Sequence, residues 1–154
     1  QAARQTAAWG GAPAILTEFG ASAGPLNVTT PARIADERLL SWLHWHYPSG
    51  ATDGAGGLGT EVVETQLVRT YAQATAGTPL QQRFDPATGA FTFRYRPDRT
   101  IGAPTSIVVP ARAYPDGYVA TVTGGAVTSA PNSGRLTVEP DSTSTEVTVT
   151  VARA

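Results

Sequence analysis

Sixteen glycines and twelve prolines interrupt a chain of 154 residues. Both residue types punctuate chains: proline presets φ and removes a donor, and glycine admits φ > 0. Spread this densely, they favour short strands joined by turns over long helices. The apolar fraction of 41% is ample for a packed core, and the charged fraction of 15% is too low for a disordered chain. All eleven basic residues are Arg and the net charge is -1. No phosphate-loop or Schiff-base lysine is available, and no basic surface suits nucleic acid or anionic lipid. Cysteine is absent, which excludes disulfide scaffolds and thiolate chemistry. No apolar stretch approaches the ~20 residues that span a bilayer.

The chain changes character near residue 77. The later part alternates. Phe91, Phe93 and Tyr95 point one way, and Thr92, Arg94 and Arg96 the other, the period of a half-buried strand. Asp85-Pro86-Ala87-Thr88-Gly89 is a turn ahead of it. Further strands are expected at 80–84, 106–109, 118–123, 135–138 and 146–151, with Gly124-Gly125 and Asn132-Ser133-Gly134 between them. Short strands at regular spacing predict an antiparallel β-sandwich over 78–154.

The earlier part, 1–77, reads as α/β. Residues 1–9 resemble the end of a helix stopped by Gly10-Gly11. Residues 13–19 are an apolar run ending in Glu18 and Phe19, the pattern of a buried parallel strand. Thr30 as N-cap and Pro31 as first helical residue predict a helix from 31 onward, after a loop over 20–30. Residues 41–47 alternate aromatic side chains and predict a second strand; 48–60 is a glycine-rich loop, and 61–71 leans to a short helix. Strand, helix, strand predicts a βαβ unit with a parallel sheet.

Glu18 falls at the carboxyl end of the first strand, where parallel α/β folds build their sites. A strand-end acid also caps loops or pairs with arginine, and position leaves both readings open. On the second strand, Trp42, His44 and His46 share one face, and Leu43, Trp45 and Tyr47 the other. Trp42 and Trp45 offer flat faces for a sugar ring, yet tryptophan is as readily core. His44 and His46 could present two imidazoles to a metal, but no third ligand follows at a recognisable spacing, so neither metal nor cofactor is expected.

Three segments carry a resemblance. Pro13-Ala14-Ile15-Leu16-Thr17-Glu18-Phe19-Gly20-Ala21-Ser22 resembles the seventh barrel strand of glycoside hydrolase family 5. The run from Ala35 to Tyr47 is similar to the helix and eighth strand that follow. The run from Leu67 to Pro79 resembles the join between barrel and sandwich in the endoglycoceramidase-like branch, and Phe84-Asp85-Pro86-Ala87-Thr88-Gly89 its C-terminal sandwich.

The resemblance implies the last βα units of a (β/α)8 barrel followed by a β-sandwich. It implies a retaining β-glycosidase that hydrolyses the bond between sugar and ceramide or a similar lipid, in glycosphingolipid breakdown. Glu18 matches the nucleophile and Trp45 the tryptophan beneath the sugar; Trp42 and His46 are further candidate substrate contacts. A whole barrel takes about 250 residues, and the family's acid/base motif, Asn-Glu-Pro, occurs nowhere here. The expectation is therefore a portion carrying the nucleophile without the acid/base, inactive alone, whose partners are the N-terminal barrel portion and a glycolipid or oligosaccharide substrate. A secreted or extracellular setting is expected. The competing reading is a non-catalytic β-sandwich that braces a neighbour or binds carbohydrate or lipid, with Tyr95, Tyr114 and Tyr118 as candidate stacking groups.

Overall fold

The computed structural model of the chain describes residues 14–20, 26–45 and 65–154. The expected helix end over 1–9, the glycine-rich loop and His46 lie outside the described residues. The chain forms two compact units, Gln1–Val63 and Glu64–Ala154. Strand β3 (Tyr71–Ala74) thus belongs with the later strands, although it precedes the composition change at residue 77.

In the first unit, β1 (Ile15–Leu16), α1 (Leu26–Glu37) and β2 (Ser41–Trp42) form a βαβ unit. The strands are parallel, with Ile15 opposite Ser41 and Leu16 opposite Trp42. The helix starts earlier than the Thr30-Pro31 signal predicts, and Pro31 lies inside it. The buried stripe explains this. Val28, Ala32, Ala35 and Asp36 recur on one face, and including Val28 carries that face back a full turn. The helix ends with Leu39 in the left-handed region at φ 54. There the Leu40 N–H reaches the Ala35 carbonyl at 2.9 Å and the Leu39 N–H the Asp36 carbonyl at 3.0 Å. This closing motif usually employs glycine, so leucine here bears a cost of about 1–2 kcal/mol.

The second unit has two four-stranded antiparallel sheets. One runs β4 (Gly77–Phe84), β5 (Phe91–Pro97), β10 (Val147–Arg153), β7 (Tyr118–Thr123). The other runs β3, β6 (Thr105–Val108), β9 (Arg135–Pro140), β8 (Gly125–Val127). Alternation along β5 is as expected: Phe91, Phe93 and Tyr95 are buried. They stand opposite Val151, Val149 and Val147 of β10. Ile107, Leu136 and Val138 of the other sheet join them in one core. The two strands that turn signals do not mark are β3 and β8. The first is a short edge strand with a bulge, and the second is three residues long and begins inside the Gly124-Gly125 signal. Pro79 is tolerated because β4 is an edge strand with an irregular register there.

The turn over 85–89 forms as its residues dictate. The Asp85 carboxylate accepts the Ala87 N–H at 2.9 Å, the Gly89 N–H reaches the Asp85 carbonyl at 2.8 Å, and Gly89 takes φ 72. Hydrogen bonds from the Ala87 N–H and then from Thr88 hold the Asp85 carboxyl below its ordinary range.

Candidate active site

The βαβ unit continues past its two short strands. The Leu43 N–H donates to the Leu16 carbonyl at 2.8 Å and the Trp45 N–H to the Phe19 carbonyl at 3.1 Å. Between these bonds the second strand advances two residues and the first advances three. The extra residue is a bulge-like offset, a device that re-aims a side chain. Burial follows it: Leu16 is half-buried, Thr17 and Glu18 are both exposed, and Phe19 is half-buried again.

Phe19 takes the inner side. Its ring stands edge-on to Trp42 and to His44, each at 5.5 Å between centroids and 75° between planes. Trp42 and His44 therefore share a face, as alternation predicts. That face carries packing. The Trp42 indole N–H reaches the buried Asp36 carboxylate on α1 at a long 3.5 Å.

Gly20 follows at φ 88, and an added Cβ would lie 2.6 Å from His44 Nε2 and 3.3 Å from Val28 Cγ2. Only glycine fits that backbone and that space.

Glu18 is exposed at the carboxyl end of β1, and Trp45, 56% exposed, is bonded to the backbone of the adjoining Phe19. An exposed carboxylate and a partly exposed indole thus occupy paired neighbouring segments. The sequence names these two residues, but not Phe19, Gly20, His44 or Asp36 as the packing behind them. The one available signal was an aromatic and a glycine directly after the acid. Glu37, the acid on the helix, is exposed and ion-paired with Arg33 at 2.7 Å. Among the described residues, no group of three His, Asp or Glu is placed to hold a metal ion. Also among the described residues, no helix is long and apolar enough to cross a membrane.

In the second unit the candidate stacking tyrosines are not platforms. Tyr95 and Tyr114 are core residues, because a ring flanked by facing sheets is worth more buried than exposed. The Tyr114 hydroxyl donates to the Gly89 carbonyl at 2.8 Å and pairs with the Thr70 hydroxyl at 2.8 Å, pinning the 85–89 turn. Tyr118 donates to the Ser133 carbonyl at 2.8 Å. Burial raises all three phenol pKa values.

Comparison with known proteins covers both units. Residues 69–151 match the family model described as glycoside hydrolase family 5 C-terminal domain. The chain is 46% identical over 142 residues to endoglycoceramidase I of Rhodococcus hoagii, a match covering 92% of this chain and 27% of that protein. It superposes on endo-glycoceramidase II from Rhodococcus sp. captured as a lactosyl-enzyme intermediate, with TM-score 0.77 and 28% identity over 99% of this chain and 35% of that one. The same enzyme in complex with ganglioside GM3 gives TM-score 0.74 and 28% identity, over 99% of this chain and 34% of that one. The chain therefore spans about a quarter to a third of the length of these relatives.

Proposed function

The chain belongs to the glycoside hydrolase family 5 C-terminal domain family, and from that premise we propose that it works as the C-terminal portion of a retaining β-glycosidase. The substrate is a glycolipid, cleaved between the sugar and ceramide or a similar aglycone. Glu18 is the nucleophile and Trp45 the face on which the sugar rests. The secreted setting expected for such an enzyme is part of this reading.

The observation that carries it is the paired arrangement of β1 and β2, with an exposed carboxylate at the end of one and an exposed indole on the continuation of the other. Support comes from the similar enzyme captured with a lactosyl group covalently attached, and from the same enzyme in complex with a ganglioside.

In this reading Glu18 attacks the anomeric carbon, and the bond to the aglycone oxygen breaks as that oxygen takes a proton from a second carboxyl group. Water then hydrolyses the glycosyl ester, giving up a proton to the same group. Retention requires the two carboxyls about 5 Å apart. The second is supplied by a barrel portion outside these 154 residues, where Asn-Glu-Pro is absent. Trp45 stacks on the apolar face of the sugar. His46 is kept as a candidate contact; Trp42 acts from behind, through Phe19.

Changing Glu18→Gln in the full-length enzyme tests this. Turnover of an aryl β-glycoside should fall by about 10³-fold or more. Retained turnover overturns the assignment.

A further inference from the structure

We propose that His44 is the positioning residue for Glu18, acting through the two residues that follow the carboxylate. The proposal rests on the reading of Glu18 as nucleophile and adds to it the device that aims the side chain.

Three observations converge on the imidazole. The one-residue offset between the Leu43 and Trp45 hydrogen bonds leaves Glu18 exposed and turns Phe19 to the inner side. Phe19 then meets the His44 ring edge-on at 5.5 Å. Gly20 presses its backbone onto the same ring: a Cβ there would sit 2.6 Å from Nε2 and 2.7 Å from Cδ2, and 3.3 Å from Val28 Cγ2 of α1. One side chain therefore packs against both residues downstream of Glu18, and the helix backs the arrangement.

The consequence is geometric. The strands themselves are only two residues long, Ile15–Leu16 and Ser41–Trp42. Beyond that two-residue ladder, Glu18 lies in the irregular stretch between the Leu43–Leu16 and Trp45–Phe19 hydrogen bonds, where the extra residue breaks the regular pairing. The offset would relax if nothing filled the space under Phe19 and Gly20. The His44 ring fills it. Attack on an anomeric carbon needs the carboxylate oxygen within about 3–3.5 Å, and a displacement of about 1 Å costs on the order of 10²-fold in rate. Removing the ring should therefore be felt in the chemical step and not in sugar binding.

The test uses the full-length enzyme and two backgrounds. In the first, Glu18 is present. His44→Ala should lower kcat for an aryl β-glycoside by about 10- to 100-fold, with KM changed about twofold or less. In the second, Glu18→Gly is supplied with azide, which replaces the carboxylate and attacks the anomeric carbon as the aryloxide leaves, giving the α-glycosyl azide. Here the nucleophile is no longer tethered to residue 18. His44→Ala should then change the azide-dependent rate about twofold or less. Gly20→Ala, whose Cβ would push on the imidazole, should show the same contrast. An equal loss in both backgrounds overturns the proposal, because a residue that contacts the sugar or merely holds the fold together is needed in both. Absence of azide rescue in Glu18→Gly overturns the nucleophile reading itself, a different result from the first.

Discussion

The two units solve the problem of burying apolar surface differently. In the two-sheet unit, Phe91, Phe93 and Tyr95 are at most 1% exposed, and the valines opposite them are equally covered. In the βαβ unit, Ile15 is 53% exposed and Leu43 57%, although both sit on or beside paired strands. Among the described residues of the first unit, one helix accompanies a two-stranded ladder, whereas in the second unit two four-stranded sheets close one core. The candidate chemistry lies in the unit whose described strands leave apolar side chains exposed. Beside Glu18 the regular pairing is broken by one extra residue, and Phe19 and Gly20 pack there against His44. The two-sheet unit leaves no open aromatic surface among its candidate tyrosines.

The contrast can be broken or sharpened by unfolding measurements, because all three tryptophans precede residue 64 while Tyr95, Tyr114 and Tyr118 belong to the two-sheet unit. The largest effect is expected from Phe93→Ala, which deletes a ring stacked between Phe91 and Tyr95. It should cost about 3–5 kcal/mol in the tyrosine near-ultraviolet transition under denaturant. The tryptophan fluorescence transition should move much less. Equal shifts of both signals would mean that the two units unfold as one, and the comparison would fail.

A smaller effect separates the units by pH. The three phenols are raised above their ordinary value of 10.0, chiefly by burial. A raised acid contributes stability that is intact below its unfolded value and is lost as pH rises through the folded one. The tyrosine transition should therefore hold its midpoint up to about pH 10 and weaken above it. Replacing Tyr114 by Phe should blunt that alkaline loss. An unchanged midpoint well above pH 10 would contradict the burial of these hydroxyls.

Much of the two-sheet unit was legible because a period of two, with turn residues at its ends, is a local signal. Phe91 to Tyr95, the 85–89 turn and the 118–123 strand came through as read. Strands β3 and β8 did not, because an edge strand of four residues and another of three are specified by their partners rather than by their own pattern. The helix start misled for a related reason. The Thr30-Pro31 cap signal is local, but the burial of Val28 outweighed it. At the candidate site, the pairing of the Glu18 and Trp45 segments was readable from strand, helix and strand in succession. The extra residue that turns Phe19 inward was not, because a hydrogen-bond offset depends on two segments at once. Nor could residue type show that Tyr114 spends its hydroxyl on Gly89 and Thr70.

The most direct test of the account is chemical capture of the nucleophile. The full-length enzyme is inactivated with a 2-deoxy-2-fluoro β-glycoside bearing a good leaving group, digested, and mapped by mass spectrometry. The account predicts a fluoroglycosyl ester on the peptide containing Glu18 and on that carboxylate; a stable label on any other carboxylate would contradict it.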